Sequence, residues 1–354
     1  MAGVYVHIPF CQSRCKYCDF YSTTFLARRE EYVIALLREW ETRQEELSEP
    51  IETIYFGGGT PSLLTPEQIG RLLTAIGTST ATEITLEANP GDLTLPYLTA
   101  LRAIGINRLS IGVQSFQDNL LQLIGRRHDS AQARNAIRLA REAGFDNLSV
   151  DLMYGLPTQT LRQWQEDIET LLSFCPEHIS TYCLSYEEGT PLVLMRDHGE
   201  VIELGEDLLN TFYDYLCSQL KEGGYEHYEV SNFSLPTRHS HHNSNYWNNT
   251  PYIGLGAAAH SYDGRTRSWN VADVDAYIQG APRDEEHLTD EQLRLEAIML
   301  GLRTAQGIEA ERVASKPHVV QDLYRRELID LKGSRIVVTQ KGLHILNSII
   351  TKLI

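Results

Sequence analysis

The chain predicts an α/β fold, a partial (β/α)6 barrel followed by a smaller C-terminal α+β domain of winged-helix-like composition. Three observations carry this. Strand-like and helix-like segments alternate from the N-terminus, which dictates a parallel sheet with right-handed crossovers. Six such units occur where a closed barrel of this type uses eight, so the barrel is open. Beyond Arg283 the alternation gives way to helices and a short strand.

The strand candidates are Val4–Ile8, Thr53–Phe56, Glu83–Ala88, Arg108–Val113, Leu148–Met153 and His178–Leu184. Each is a short run whose apolar content and length suit a buried strand. Between them lie helical patterns. Arg29–Leu47 sets Tyr32, Leu36 and Trp40 on one face. Pro66–Ile76 follows Thr65, a good N-cap, with proline at the first helical position. Ser130–Ala143 stops before Gly144, a good C-terminal stop. Leu161–Phe174 and Asp207–Lys221 complete the set. Tyr225–Phe233 reads as one further strand, and Gly254–His260 as a glycine- and alanine-rich stretch that permits close packing. The C-terminal part predicts a helix over Glu291–Arg303, a strand over Arg335–Val338 and a last helix from near Gln340. That last helix would carry Leu343, Leu346, Ile350 and Leu353 on one face, a core pattern. The expected division is a barrel over 1–225, a connecting segment over 226–282 and a cover or docking domain over 283–354.

Composition narrows the function. With 42% hydrophobic and 22% charged residues among 354, the chain can bury a large core. No run of about 18 apolar residues is present, so no membrane span is expected. The N-terminal segment lacks the basic and apolar regions of a secretory leader, and a cytoplasmic location is the expectation. The net charge of −16 argues against nonspecific nucleic-acid binding. From Gly301 to Ile354 nine Lys/Arg face five Asp/Glu, a net +4, which leaves −20 for the rest and suggests a separate module. Cys175, Cys183 and Cys217 stand alone and are expected to be buried as small hydrophobes.

The most specific signal is the run Cys11-x3-Cys15-x2-Cys18, directly after the first strand. Three close thiolates can hold three irons of a [4Fe–4S] cluster and leave the fourth iron without a protein ligand. Two other readings compete: a disulfide with a spare thiol, which nothing else in the chain favours, and a structural zinc, which needs a fourth ligand such as His7. The spacing resembles that of the radical S-adenosylmethionine (SAM) superfamily. The resemblance implies that the open iron chelates the amino and carboxylate groups of SAM and that a cluster electron cleaves it.

Polar and glycine residues fall repeatedly at the C-terminal ends of strands, the edge where such barrels collect their chemistry. Gly57-Gly58-Gly59-Thr60-Pro61 follows strand two, Glu87 and Asn89 end strand three, and Gln114 ends strand four with Arg126 beyond it. Asp151 lies near the end of strand five and Ser185 after strand six. The SAM amino group wants a carboxyl partner, its carboxylate a cation and its ribose a carboxylate or amide. Gly58, Gly59, Glu87, Gln114, Arg126 and Asp151 offer these.

Together these motifs resemble the oxygen-independent coproporphyrinogen III oxidase family of radical SAM proteins. The likeness runs through Tyr5-x-His7-Ile8-Pro9-Phe10-Cys11, Tyr55-Phe56-Gly57-Gly58-Gly59-Thr60-Pro61, Glu87-x-Asn89-Pro90, Gly112–Phe116 and Asp151–Pro157. It implies that Cys11, Cys15 and Cys18 hold the cluster. It further implies a SAM site lined by Tyr5, Tyr17, Gly58, Gly59, Thr60, Glu87, Gln114, Arg126, Asp151, Ser185 and His260.

The family has two branches. The oxidase, which acts in porphyrin biosynthesis, carries a further cysteine two positions past the third, and an N-terminal extension. Here Phe20 occupies that position, and Cys11 comes early in the chain. Both departures fit the heme chaperone branch. So does His242-Asn243-Ser244-Asn245-Tyr246-Trp247, which resembles that branch's H-N-x-x-Y-W signature. Imidazole is a common axial ligand of heme iron, so His242 is expected to ligate heme or to order the loop that does. A surface loop, or a zinc or nickel site at His239, His241 and His242, are the competing readings. The resemblance implies these partners: heme or porphyrin, an electron donor for the cluster, and an apo-hemoprotein recipient such as a membrane-bound respiratory enzyme. The acidic charge adds the expectation of no nucleic acid, and a homodimer is left as a candidate state. The competing function is the oxidase reaction itself, started by a 5′-deoxyadenosyl radical.

Overall fold

A computed structural model describes residues 2–47 and 49–354. The six expected strands form, as β1 (Ala2–Ile8), β2 (Ile51–Gly58), β3 (Glu83–Ala88), β4 (Arg108–Gln114), β5 (Leu148–Tyr154) and β6 (His178–Cys183). They pair in parallel and in sequence order. The crossover helices lie within a residue or two of expectation, except that the first ends at Arg43 and continues as a 3-10 turn over Gln44–Glu46. Three of them open on full capping boxes, at Thr65, Asp129 and Thr160, each paired with a glutamine three residues on.

Alternation within the strands divides them into two faces. Val4, Val6, Ile54, Phe56, Leu86, Leu109, Ile111, Val150 and Leu152 face outward into one buried core with the crossover helices. The other face is polar and equally buried, and it encloses the barrel interior. Thr53, Thr85, Arg108, Ser110, Ser149, His178 and Ser180 all point there.

The sheet is wider than the sequence pattern indicates. It has 12 strands. Residues 226–287 supply strands to both of its edges. Tyr225–Phe233 is not one strand but a hairpin, β7 (Glu226–Glu229) and β8 (Asn232–Ser234), turning at Val230-Ser231 and pairing antiparallel with β6. At the opposite edge β9 (Tyr252–Leu255) is a seventh parallel strand, beside β1, with Gly3 opposite Tyr252 and Val6 opposite Leu255. β10 (His260–Tyr262), β11 (Thr266–Trp269) and β12 (Asp284–His287) continue outward as an antiparallel extension. Glycine is required at 254, because a Cβ there would lie 2.0 Å from the His260 carbonyl oxygen.

The C-terminal domain has its own core, built on Ile298, Leu302, Ile308, Leu323, Ile336, Leu346, Ile349 and Ile350. Its small antiparallel sheet comprises β13 (Ile308–Glu309), β14 (Ile329–Lys332) and β15 (Arg335–Val338). The last helix breaks at Ile345 into Gln340–Leu343 and Leu346–Leu353. Leu346, Ile350 and Leu353 enter the core as expected, whereas Leu343 packs between both cores. The domain docks on the β7–β8 hairpin, through Val230 N–H to Arg303 O and Ala305 N–H to Tyr228 O at 2.9 Å each. It also meets the Glu206–Glu222 helix, through His344 Nε2 and Asp214 at 3.0 Å.

Candidate functional site

The loop after β1 is stapled at three places. Cys11 N–H donates to Thr23 O at 2.9 Å and Thr23 N–H to Pro9 O at 2.7 Å. Lys16 N–H donates to Ile124 O beyond β4 at 3.0 Å, and Leu192 N–H beyond β6 donates to Lys16 O at 2.9 Å. The loop thereby hangs over the C-terminal ends of the strands. All three of its cysteines are free thiols, partly exposed, on one cleft of about 540 Å³. That volume suits a cofactor-sized ligand. Every residue lining the cleft comes from Cys11 to Glu187, so the C-terminal domain contributes none of its wall.

Nine of the sequence-derived candidates besides the cysteines line this cleft: Tyr17, Gly58, Gly59, Thr60, Glu87, Gln114, Arg126, Asp151 and Ser185. The glycine run is dictated by crowding. Gly58 has φ +110°, and a Cβ on it would lie 2.5 Å from the His7 ring. A Cβ on Gly59 would lie 2.9 Å from Phe10 O. Only glycine lets this backbone pass between the first loop and the ligand space.

Two carboxylates face that space. Glu87 accepts from Tyr55 O–H at 2.8 Å through one oxygen and from Gly58 N–H at 3.1 Å through the other. Burial pushes its pKa up to about 7, with Asp151 adding to the rise and Tyr55, Gly58 and Arg108 opposing it. Asp151 receives Ser110 O–H at 3.1 Å on both oxygens and Ser149 O–H at 3.2 Å. Burial raises its pKa as well. Both groups are held by donors yet carry no direct ion pair among the described residues, a state that favours an incoming cation.

Arg126 lines the same cleft. Its guanidinium donates to Cys15 Sγ at 3.4 Å and to Gly112 O, and its Nε has no partner among the described residues. Gln114 sits at φ +70° at a register shift between β4 and β5, and its buried Oε1 has no partner among the described residues. Strained backbone with an unsatisfied polar atom marks a site that expects a ligand. Cys11 Sγ lies 3.5 Å from Thr60 Oγ1.

These residues fit a [4Fe–4S] cluster and SAM better than a zinc ion. Among the described residues no three His, Cys, Asp or Glu groups converge on a single metal position. A cube asks less, since each thiolate binds a different iron. His7 cannot serve as a fourth zinc ligand: its Nδ1 meets Tyr5 O–H at 3.1 Å and its Nε2 meets Tyr21 O at 3.2 Å. The three neighbouring histidines do not converge either. His239 pairs with Glu226 at 3.1 Å and stacks on Tyr228 at 4.2 Å, while His242 is buried.

Three expected site residues lie outside the cleft. Tyr5 is inside the barrel, stacked 6.2 Å from Tyr55, with its hydroxyl on His7. His260 lies on β10, two strands from β1, stacked 5.9 Å from Trp269. His242 is neither on a surface loop nor open to a ligand. It belongs to the helix His241–Trp247 and is 1% exposed. Its Nδ1 meets Thr53 Oγ1 at 2.8 Å and its Nε2 meets Tyr246 O–H at 2.9 Å. Burial lowers its pKa to about 3. With both nitrogens engaged, the axial-ligand expectation does not fit this arrangement. The isolated cysteines also differ from expectation. Only Cys217 is buried; Cys175 is exposed, and Cys183 is exposed on the cleft wall.

Sequence reasoning missed Ser110, Met153, Tyr182 and Arg14 on the cleft wall and Arg108 beneath it. A signal was present. Parallel strands covered on both faces read as continuous apolar runs, whereas here the alternate positions of β3 to β6 are mostly polar, with Gly112 and Met153 the exceptions.

Comparison with known proteins agrees with this geometry. Residues 5–171 match the model of the Radical SAM superfamily. The chain is 38% identical to "Heme chaperone HemW" of Bacillus subtilis, covering 97% of this chain and 96% of that one. It is 35% identical to "Heme chaperone HemW" of Lactococcus lactis, covering 99% and 96%. It is 33% identical to "Radical S-adenosyl methionine domain-containing protein 1, mitochondrial" of Mus musculus, covering 100% and 87%. The solved structure of coproporphyrinogen III oxidase (HemN) from Escherichia coli superposes with a TM-score of 0.84 at 23% identity, over 99% of this chain and 90% of that chain. The protein is therefore a member of the radical SAM superfamily and, within it, of the family whose relatives are named heme chaperone HemW.

Proposed function

We propose that this protein is a heme chaperone that binds heme and passes it to apo-hemoproteins, with a [4Fe–4S] cluster and SAM held in the cleft. The observation that carries the reading is near-full-length similarity, at 38% identity, to a relative named for that task. Cys11, Cys15 and Cys18 hold the cluster. When bound, it supplies an open iron for the amino and carboxylate groups of SAM, and a reducing electron. Arg126 neutralises charge beside Cys15 and faces the SAM carboxylate. Glu87 takes the amino group, with Gly58 and Gly59 giving the backbone room to approach. Asp151 and Gln114 serve the ribose, Thr60 and Ser185 close the wall, and Tyr17 packs beside Arg126 and Cys15. The recipient is an apo-hemoprotein, a membrane-bound respiratory enzyme among the candidates. Among the described residues no helix is long and apolar enough to cross a membrane.

The competing reading is oxidative decarboxylation of coproporphyrinogen III. The fold shared with the Escherichia coli oxidase favours it, and the cleft residues serve both functions alike. Phe20 distinguishes them. It is 66% exposed and lines the cleft, at the position where the resemblance gives the oxidase a cysteine.

The test is heme transfer. Anaerobically reconstituted protein is loaded with heme, separated from free heme and mixed with apomyoglobin. The expected result is a bound-heme spectrum at a defined stoichiometry, followed by appearance of the holo-acceptor spectrum. Failure to retain heme would remove the reading.

A further inference from the structure

The H-N-x-x-Y-W helix lies at the opposite end of the barrel from the cleft, under the N-terminal ends of β1 to β3. Gly3, Thr53 and Glu83 all touch it: a Cβ on Gly3 would lie 3.2 Å from the His242 ring. Glu83 accepts from His241 N–H and His242 N–H at 2.9 Å each, so the helix is clamped to β3. Four residues along the same strand, on the same face, stands Glu87.

A second connection runs through β2. Thr53 binds His242 Nδ1, and two residues on, the Tyr55 ring stacks on the His242 ring at 5.0 Å and 24°. Tyr5 flanks Tyr55 at 6.2 Å and 27°. The Tyr55 ring is thus held by two aromatic neighbours, and its hydroxyl donates to Glu87 Oε1 at 2.8 Å. Tyr246 in turn holds the outer nitrogen of His242.

We propose that His242 is a positioning residue for the SAM site: its ring fixes Tyr55, and Tyr55 O–H fixes Glu87, the carboxylate that receives the SAM amino group. The inference rests on the assignment of the cleft to SAM. It gives the signature motif a task at the cofactor through a relay inside the barrel, with no heme contact required. In this seven-residue helix of poor intrinsic propensity His242 is the buried residue, turned into the barrel.

The relay predicts which atoms of residue 242 matter. His242→Phe keeps the ring against Tyr55 and loses the two hydrogen bonds. His242→Gln keeps hydrogen-bonding capacity and loses the ring. SAM affinity is measured by anaerobic equilibrium dialysis on protein whose iron content and circular dichroism match the wild type. His242→Phe is expected to bind SAM within about twofold of wild type, and His242→Gln about fivefold more weakly, the scale of one aromatic pair. A purely structural role gives equal losses or the reverse order, and either result overturns the proposal.

Tyr55→Phe supplies the independent arm. It keeps the stack and removes the bond to Glu87, with an expected loss of about tenfold or more at pH 7, as for a hydrogen bond to a charged group. The groups facing Glu87 are Tyr55 on β2, Asp151 on β5, Arg108 on β4, Tyr5 on β1, Tyr182 on β6 and Tyr246 on the floor helix. Tyr55 opposes the rise in the Glu87 pKa. Its removal therefore moves the midpoint of the pH–affinity profile upward, and affinity recovers in alkali. An unmoved midpoint overturns the relay. Wild-type protein with an intact cluster that fails to bind SAM at all removes the cleft assignment itself, a distinguishable outcome.

Discussion

The two faces of the same strands have opposite characters. Outward, Val4, Ile54, Leu86, Ile111 and Val150 are all buried in the main apolar core. Inward, at the alternate positions, stand Tyr5, Tyr55, Glu87, Ser110, Asp151 and His178, nearly as buried but polar and joined by hydrogen bonds. Outward burial contributes stability in proportion to area. Inward burial costs desolvation, and the cost is offset only where each group finds a partner. Arg108 and Thr85, cross-strand neighbours on the inner face, lack that compensation: among the described residues Nε and Nη1 of Arg108 and Oγ1 of Thr85 have no partner. The interior is thus built for binding, and the outer shell holds it closed.

Substitutions on the two faces separate these roles. The largest effect is expected at the rim: Cys11→Ala should abolish the broad brown absorption of the reconstituted protein while circular dichroism is retained. A normal iron and sulfide content in that variant would contradict the ligand assignment. On the outer face, Ile111→Ala should cost about 2–5 kcal/mol of stability, as for large-to-small changes in close-packed cores. Urea denaturation checks this, and SAM affinity of the folded fraction should be unchanged.

On the inner face, Glu87→Gln should do the reverse. It should weaken SAM binding by about 2 kcal/mol, the scale of a charged hydrogen bond, without destabilising the cluster-free protein. Its pH dependence is specific. The folded pKa of about 7 lies above the ordinary value of 4.5. Between those values the folded state keeps a proton that the unfolded state has released, so wild-type stability falls as pH rises through that window. The Gln variant lacks this slope, so its advantage over wild type should grow from pH 5 to pH 8 in thermal denaturation. The smallest effect is expected for Ser110→Ala, which removes one donor from Asp151 and should cost about 1 kcal/mol of SAM affinity. A loss as large as that of Glu87→Gln would mean that Ser110 itself touches the ligand.

Much of this was legible in the sequence because it is local. The six strands, the cysteine spacing and the polar strand ends are patterns within a few residues of each other. What stayed hidden depends on distant partners. β9 is a strand because Gly3 to Val6 lie beside it, and nothing in Tyr252–Leu255 announces that pairing. The floor helix has a weak helical sequence, and it forms because Ser240 caps it and Glu83, more than 150 residues earlier, takes two of its free N–H groups. His242 was misjudged for the same reason: a histidine among polar residues reads as exposed until the barrel that encloses it is assembled. The inner face was visible as alternation, but only against the expectation that such strands are apolar throughout.

The most direct test of the central claim is anaerobic turnover with coproporphyrinogen III, SAM and a strong reductant, using protein whose [4Fe–4S] content is verified, with tetrapyrroles read by mass spectrometry. A heme chaperone returns the substrate unchanged. Appearance of the doubly decarboxylated product would make the protein an oxidase and contradict the account.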